Sequence, residues 1–228
     1  MTSQNNKTCF AEVLESSIST WQAQSWQWNA IPEFGSLVTA TSNGRTIFGI
    51  IYDISTGPID PIRQPVAYQK TEEELLKEQP QIFEFLTTSF SCIAIGYMQA
   101  SDSANPAVAK AMADFRATTD KGAEKIVYNL PPQPPKIHTF VCHATQEEYE
   151  QCFASEQFLY LLFNSTLQLN LQELLLAIIK HQLNRKTLTK KRLNAFIESF
   201  FMLNKNNYLQ TKMFLSRLQQ LVGSTQLP

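Results

Sequence analysis

His138, Cys142 and His143 are the residues whose types and spacing come nearest to a metal site in this chain. On a strand, His138 and Cys142 share a face but stand ~13 Å apart, four residues at ~3.3 Å each, while His143 points the other way. Zinc takes four ligands at about 2 Å, commonly as paired Cys and His, and no second pair completes a set here. The expectation is no metal, no cofactor and structural roles for all three. Cys92 could serve a nucleophilic mechanism only with His138, His143 or His181, and no Gly-x-Ser-x-Gly elbow or other local motif accompanies it. In an apolar segment it reads as a buried, inert thiol. The acids Glu72-Glu73-Glu74 and Glu147-Glu148 fall in the first turns of expected helices, where negative charge complements the helix dipole. Acid–base catalysis would need burial to shift a carboxyl pKa. These residues point to docking rather than chemistry, and not to an enzyme.

Trp21, Trp26 and Trp28 could form a stacking platform for single-stranded nucleic acid, with Trp26 and Trp28 expected on one strand face. No Lys or Arg lies between Lys7 and Arg45, however, and a phosphate chain needs positive charge beside the rings. Core or interface packing is the better reading. Cations gather instead near the C-terminus. Between Lys180 and Arg217 there are nine Lys or Arg against the single acid Glu198, so this stretch carries +8 while the rest of the 228 residues carries −9. Such asymmetry implies an acidic partner, a polyanion, or the tail folding back on the body. Its densest part, Arg185, Lys186, Lys190, Lys191 and Arg192, spans a helix–helix turn and the next helix start. The first reading of these cations is solvated helix surface, then docking on an acidic protein, then nucleic acid or anionic lipid; Lys190 to Arg192 oppose the dipole of the helix that starts there, which favours a retained contact.

The elements that must position these residues follow from periodicity. Residues 1–25 are polar, with Phe10, Val13, Leu14 and Ile18 at helix-like spacing, and read as an arm or short helix. From Trp26 the pattern turns to strands. Leu37 to Thr41 and Thr46 to Ile54 flank Ser42-Asn43-Gly44-Arg45, whose Asn-Gly pair favours a tight hairpin turn, and Gly49 suggests a bulge or bend. Gly57 to Pro65 holds three prolines and must leave the sheet as a structured loop. Thr71 with Glu74 fits a capping box, so a helical insertion is expected near 71–86. Thr87 to Met98, Ala123 to Leu130 and Lys136 to Ala144 are further strand candidates, with a marginal helix at 108–115. After Thr145 apolar residues recur at three- and four-residue spacing: Leu171 to Ile179, then Leu193 to Phe201, then Leu209 to Leu221. That makes three or four helices. The longest apolar run, six residues from Leu174, is far below the ~20 of a membrane span.

The segment Phe34-Gly35-Ser36-Leu37-Val38, the hairpin Gly44 to Ile54, and Pro134-Pro135-Lys136-Ile137-His138-Thr139-Phe140-Val141 together resemble a HAS barrel. This is the small β-barrel at the N-termini of HerA-type DNA translocases and of F-type ATP synthase subunits. The likeness covers roughly residues 26–144 and extends to stand-alone bacterial proteins of this kind. In that family the barrel crowns a hexameric ATPase and holds neighbouring subunits together. This chain departs from the pattern in lacking a P-loop: of its seven glycines only Gly44 and Gly49 have the required spacing, and Ile50-Ile51 follows them where Lys-Ser/Thr is needed. The resemblance therefore implies an assembly module without a motor.

The sequence thus predicts an α+β protein, a small closed or partly open antiparallel barrel followed by an α-helical bundle. Its parts are an arm at 1–25, a barrel at 26–145 and a basic helical domain at 146–228. The expected partner is a protein, either a ring ATPase or a second copy, met through Ile59, Ile62, Arg63 and Tyr68 of the insertion and Arg185, Lys186, Lys190, Lys191 and Arg192 of the tail; the insertion reads equally as a well-packed lid over the barrel mouth. The rival expectation is nucleic acid bound by the barrel with residues 185–192. Dispersed cysteines and a polar start without a signal-like segment predict a cytoplasmic protein with four free thiols.

Overall fold

The computed structural model describes residues 7–60, 62, 65–99, 126–167, 170–205 and 208–223. Six strands close into an antiparallel barrel: β1 Cys9–Ser16, β2 Thr20–Ser25, β3 Leu37–Ser42, β4 Arg45–Pro58, β5 Leu86–Gln99 and β6 Phe140–His143, in the order β1-β2-β5-β4-β3-β6. The barrel is α+β with the helices that follow it, as its patterning predicted. The β3–β4 turn pairs Ser42 with Arg45, and both Asn43 (φ 53°) and Gly44 (φ 69°) take the left-handed conformation a two-residue hairpin loop requires.

The first 25 residues correct the expectation of an arm or helix. Cys9–Ser16 and Thr20–Ser25 form a hairpin that belongs to the barrel wall. The register slips between Cys9 and Ala11 against β6 and again between Val13 and Glu15 against β2. Each bulge breaks the two-residue alternation, so Phe10, Ala11 and Val13 all turn inward and leave three- and four-residue spacings. The four-thiol expectation is also corrected. β1 and β6 are hydrogen-bonded neighbours, which sets Cys9 opposite Cys142 in a disulfide; only Cys92 and Cys152 are free.

Two apolar layers hold the fold. Inside the barrel, Trp21, Val38, Ile47, Ile51, Phe90 and Val141 meet. Gly49 faces this interior because a Cβ there would stand 2.1 Å from Trp21 Cη2, so the glycine makes room for the indole. The Gly49 bend is present too, as a register shift against β5. Outside, Leu37, Phe48, Ile50, Ile93 and Ile95 pack under the C-terminal helices. The central stretches of β4 and β5 are thus buried on both faces, which explains their uninterrupted apolar runs.

Helix α1, Glu72–Glu78, and a 3-10 turn, Pro80–Phe85, lie between β4 and β5. Among the described residues five helices follow the barrel: α2 Gln146–Cys152, α3 Phe158–Phe163, α4 Leu171–Asn184, α5 Lys190–Leu203 and α6 Tyr208–Gly223. The expected capping box forms, Thr71 with Glu74, and a second one joins Thr145 with Glu148. Of Ala123 to Leu130, the described part contributes one bridge, Val127 to Tyr97, rather than a strand. The expected helix at 108–115 lies outside the described residues.

Tail and barrel share one continuous core. Gly35 (φ 78°) lies so close to α4 that a Cβ would stand 2.5 Å from Ala177 Cβ. The buried Tyr149 hydroxyl accepts a hydrogen bond from Leu37 N–H at 2.9 Å, and His181 Nε2 stands 3.0 Å from the Phe34 carbonyl oxygen. No helix among the described residues is long and apolar enough to cross a membrane.

Candidate functional site

The residues first weighed for chemistry do not come together. His138 and His181 stand 3.6 and 3.5 Å from Glu12 and Glu33, ion-pair rather than hydrogen-bond distances. His143 stacks on Phe10 at 4.2 Å between centroids. Burial, and secondarily the Arg185 charge, hold its imidazole below the ordinary histidine pKa. Cys92 lies inside the barrel and Cys152 in the shared core, where burial raises both thiols above their usual range. Among the described residues no three His, Cys, Asp or Glu side chains are grouped to hold a metal. Trp26 and Trp28 lie beyond the end of β2 rather than on a strand face, and Trp21 is core. Trp26 meets Phe140 edge-on and Trp28 stacks on Phe83.

The surface that remains is built on the β4–β5 pair, which runs on past its barrel neighbours. The β3 pairing ends at Ile50 and the β2 pairing ends at Ser89, yet β4 and β5 stay paired to Pro58 and Leu86. Ile59 N–H to the Phe85 carbonyl, 2.8 Å, adds one more rung. These two segments, held to each other and through Thr88 and Phe83 to Trp28, make an arm, and residues 59–85 form its tip. Neither α1 nor the 3-10 turn buries a single side chain. The tip is held by the Thr71–Glu74 capping box, the Lys70–Glu78 ion pair and the Trp28–Phe83 stack. Leu75, Ile82 and Phe83 are half-buried, but other apolar residues point to solvent: Ile62 is 90% exposed and Val66 70%, and Ile59, Tyr68 and Leu76 are exposed too. By sequence the tip carries six acids against three bases. Of the predicted contacts Ile59, Ile62 and Tyr68 share this surface, and Arg63 lies outside the described residues.

The five predicted tail cations divide. The Arg185 guanidinium lies over the Tyr149 ring, 4.1 Å from its centroid, and Arg192 Nη1 donates to the Thr187 carbonyl at 3.0 Å. Lys186, Lys190 and Lys191 are exposed. The opposition of Lys190 and Lys191 to the α5 dipole is met in part by Thr189, which caps the helix by accepting from Arg192 N–H.

Sequence reasoning missed a second exposed surface at the α5–α6 end. Leu209 and Met213 fit the helical spacing of the tail, but of that series Phe214 and Leu218 are buried in the core and Leu221 packs against it, while Leu209 and Met213 stay exposed. Met202 (68% exposed), Tyr208 (78%), Leu209 and Met213 face solvent beside Lys205 and Lys212. The signal was in the sequence: the apolar stripe is wider than one buried face needs.

No protein-family model matches the chain, and no curated protein matches it. Fold and surface together define a closed six-stranded barrel with a helical extension packed on it and an exposed apolar arm.

Proposed function

We propose that this protein is a non-catalytic docking module whose arm, residues 57–85, binds a protein partner. The observation that carries this reading is the exposure of Ile59, Ile62, Val66, Tyr68 and Leu76 on an arm whose α1 and 3-10 turn bury no side chain. Evolved monomer surfaces rarely keep several large apolar side chains together at the tip of an extension, and such a patch rimmed by charge suits a protein interface. The absence of a P-loop and the scattered histidines support a binding rather than a hydrolytic role. The resemblance to HAS barrels implies a ring ATPase or a further copy of the chain as partner. Binding of nucleic acid through residues 185–192 has less support, since Arg185 and Arg192 are engaged within the fold and Trp26 and Trp28 already pack on other rings. The test is affinity capture from intact cells with the native chain and with Ile62→Asp/Val66→Asp. Both positions are exposed, so the variant should unfold at the native midpoint yet lose a stoichiometric protein partner. Recovery of no protein by either form, from a protein that is monomeric in solution, would sink the reading.

A further inference from the structure

We infer that the arm docks on the α5–α6 end of a second copy of this same chain; the inference rests on the arm being a protein-docking surface and names its partner. Among the exposed apolar residues described, those of the arm tip and those of the α5–α6 end stand in segments of opposite charge. The arm tip holds Asp60, Glu72, Glu73, Glu74, Glu78 and Glu84 against three bases. The α5–α6 end has no Asp or Glu from Ser199 to Arg217 and carries Lys205, Lys212 and Arg217. Arg217 is held by Glu173, which leaves Lys205 and Lys212 exposed beside Met202, Tyr208, Leu209 and Met213.

The side chains match in kind as well as in sign. Ile59, Ile62 and Val66 are branched and compact, and they stand on a segment stiffened by Pro58 and Pro65. The opposing patch offers two methionines, a leucine and a tyrosine, which adapt to a knobbed surface and remain apolar. On α6, Leu209, Lys212 and Met213 recur at three- and four-residue spacing, so one helix face presents apolar contact and cation together. The α1 acids Glu72 and Glu73 are exposed with no ion pair among the described residues, poised to meet those lysines. Within one chain both patches remain open to solvent, so the arm does not satisfy its own tail. A second copy supplies both halves at once.

Because arm and tail end are different surfaces, the contact is heterologous: each copy donates an arm and receives one. Such contacts close into a ring where the rotation permits and otherwise grow as a chain. Charge pairing at the rim sets partner choice and speeds encounter, so association weakens as salt rises.

The experiment is sedimentation velocity over a concentration series with the full chain and two charge-reversed forms, Glu72→Lys/Glu73→Lys and Lys205→Glu/Lys212→Glu. The native chain should associate as concentration rises. Each reversed form alone should associate about ten-fold more weakly or worse, because like charges then face each other. Mixing the two reversed forms should restore association, since every arm–tail contact between one form and the other again joins opposite charges. A merely misfolded variant could not be rescued in this way. A native chain that stays monomeric throughout, or a mixture that behaves as the sum of its parts, overturns the second-copy inference. The docking reading itself is judged separately, by whether Ile62→Asp/Val66→Asp loses a captured protein.

Discussion

Gly35→Ala probes the joint between barrel and tail. At φ 78° the backbone of residue 35 is left-handed, which costs a non-glycine residue about 1 kcal/mol. The new Cβ would also stand 2.5 Å from Ala177 Cβ and 3.2 Å from the Ala177 carbonyl carbon, so the α4 backbone and not a flexible side-chain end must yield. Overpacking of that kind costs about 1–3 kcal/mol, giving about 2–4 kcal/mol in all. With a urea m-value of about 2–3 kcal/mol/M, the midpoint should fall by about 1 M. All three tryptophans (Trp21, Trp26, Trp28) belong to the barrel end of the chain, whereas the long helices belong to the tail. Tryptophan fluorescence and circular dichroism at 222 nm therefore report on different halves. Because the two halves share one core, both probes should show a single coincident transition, and the substitution should move both together. A dichroism midpoint that falls while the fluorescence midpoint stays fixed would refute the shared core.

Three further outcomes follow from single contacts. Tyr149→Phe keeps the ring under Arg185 but strands the buried Leu37 N–H, and should cost about 1–3 kcal/mol of unfolding free energy in the same titration. Reduction of Cys9–Cys142, whose residues are 133 apart in sequence, frees the first barrel strand from the last; it should lower stability by about 2–4 kcal/mol, and alkylation of the unfolded, unreduced chain should label only Cys92 and Cys152. His143 has a folded pKa below its unfolded value near 6.5, so the unfolded state takes up the proton first; stability is full above that pH and declines as pH falls through it toward the folded pKa. His143→Phe should flatten this part of a stability–pH curve, and an unchanged slope would contradict the assignment.

Much of the fold was legible because local signals agreed with tertiary demands. Asn43-Gly44 can build a two-residue hairpin turn, Thr71 and Glu74 can cap a helix together, and the runs in β4 and β5 had the length and β-branching of buried strands. The first hairpin was not legible, because its two bulges convert strand alternation into helix-like spacing. The Cys9–Cys142 pairing was hidden for a related reason: opposition of the two cysteines appears only when the barrel closes and makes β6 the neighbour of β1. Composition showed the cations of the tail but not their division, since only the packing of α2 against the α4–α5 turn puts Arg185 over Tyr149. The arm was legible as a loop from its prolines. That its helix would bury nothing was not, because burial depends on what the arm fails to touch.

The most direct measurement is photo-crosslinking in cells from a reactive side chain placed at Ile62, compared with one placed at Gln22 on the polar outer face of β2. The arm should yield a discrete protein adduct from position 62, while position 22 yields none of comparable strength. No adduct at position 62, or equal diffuse labelling from both sites, would contradict a docking role for the arm.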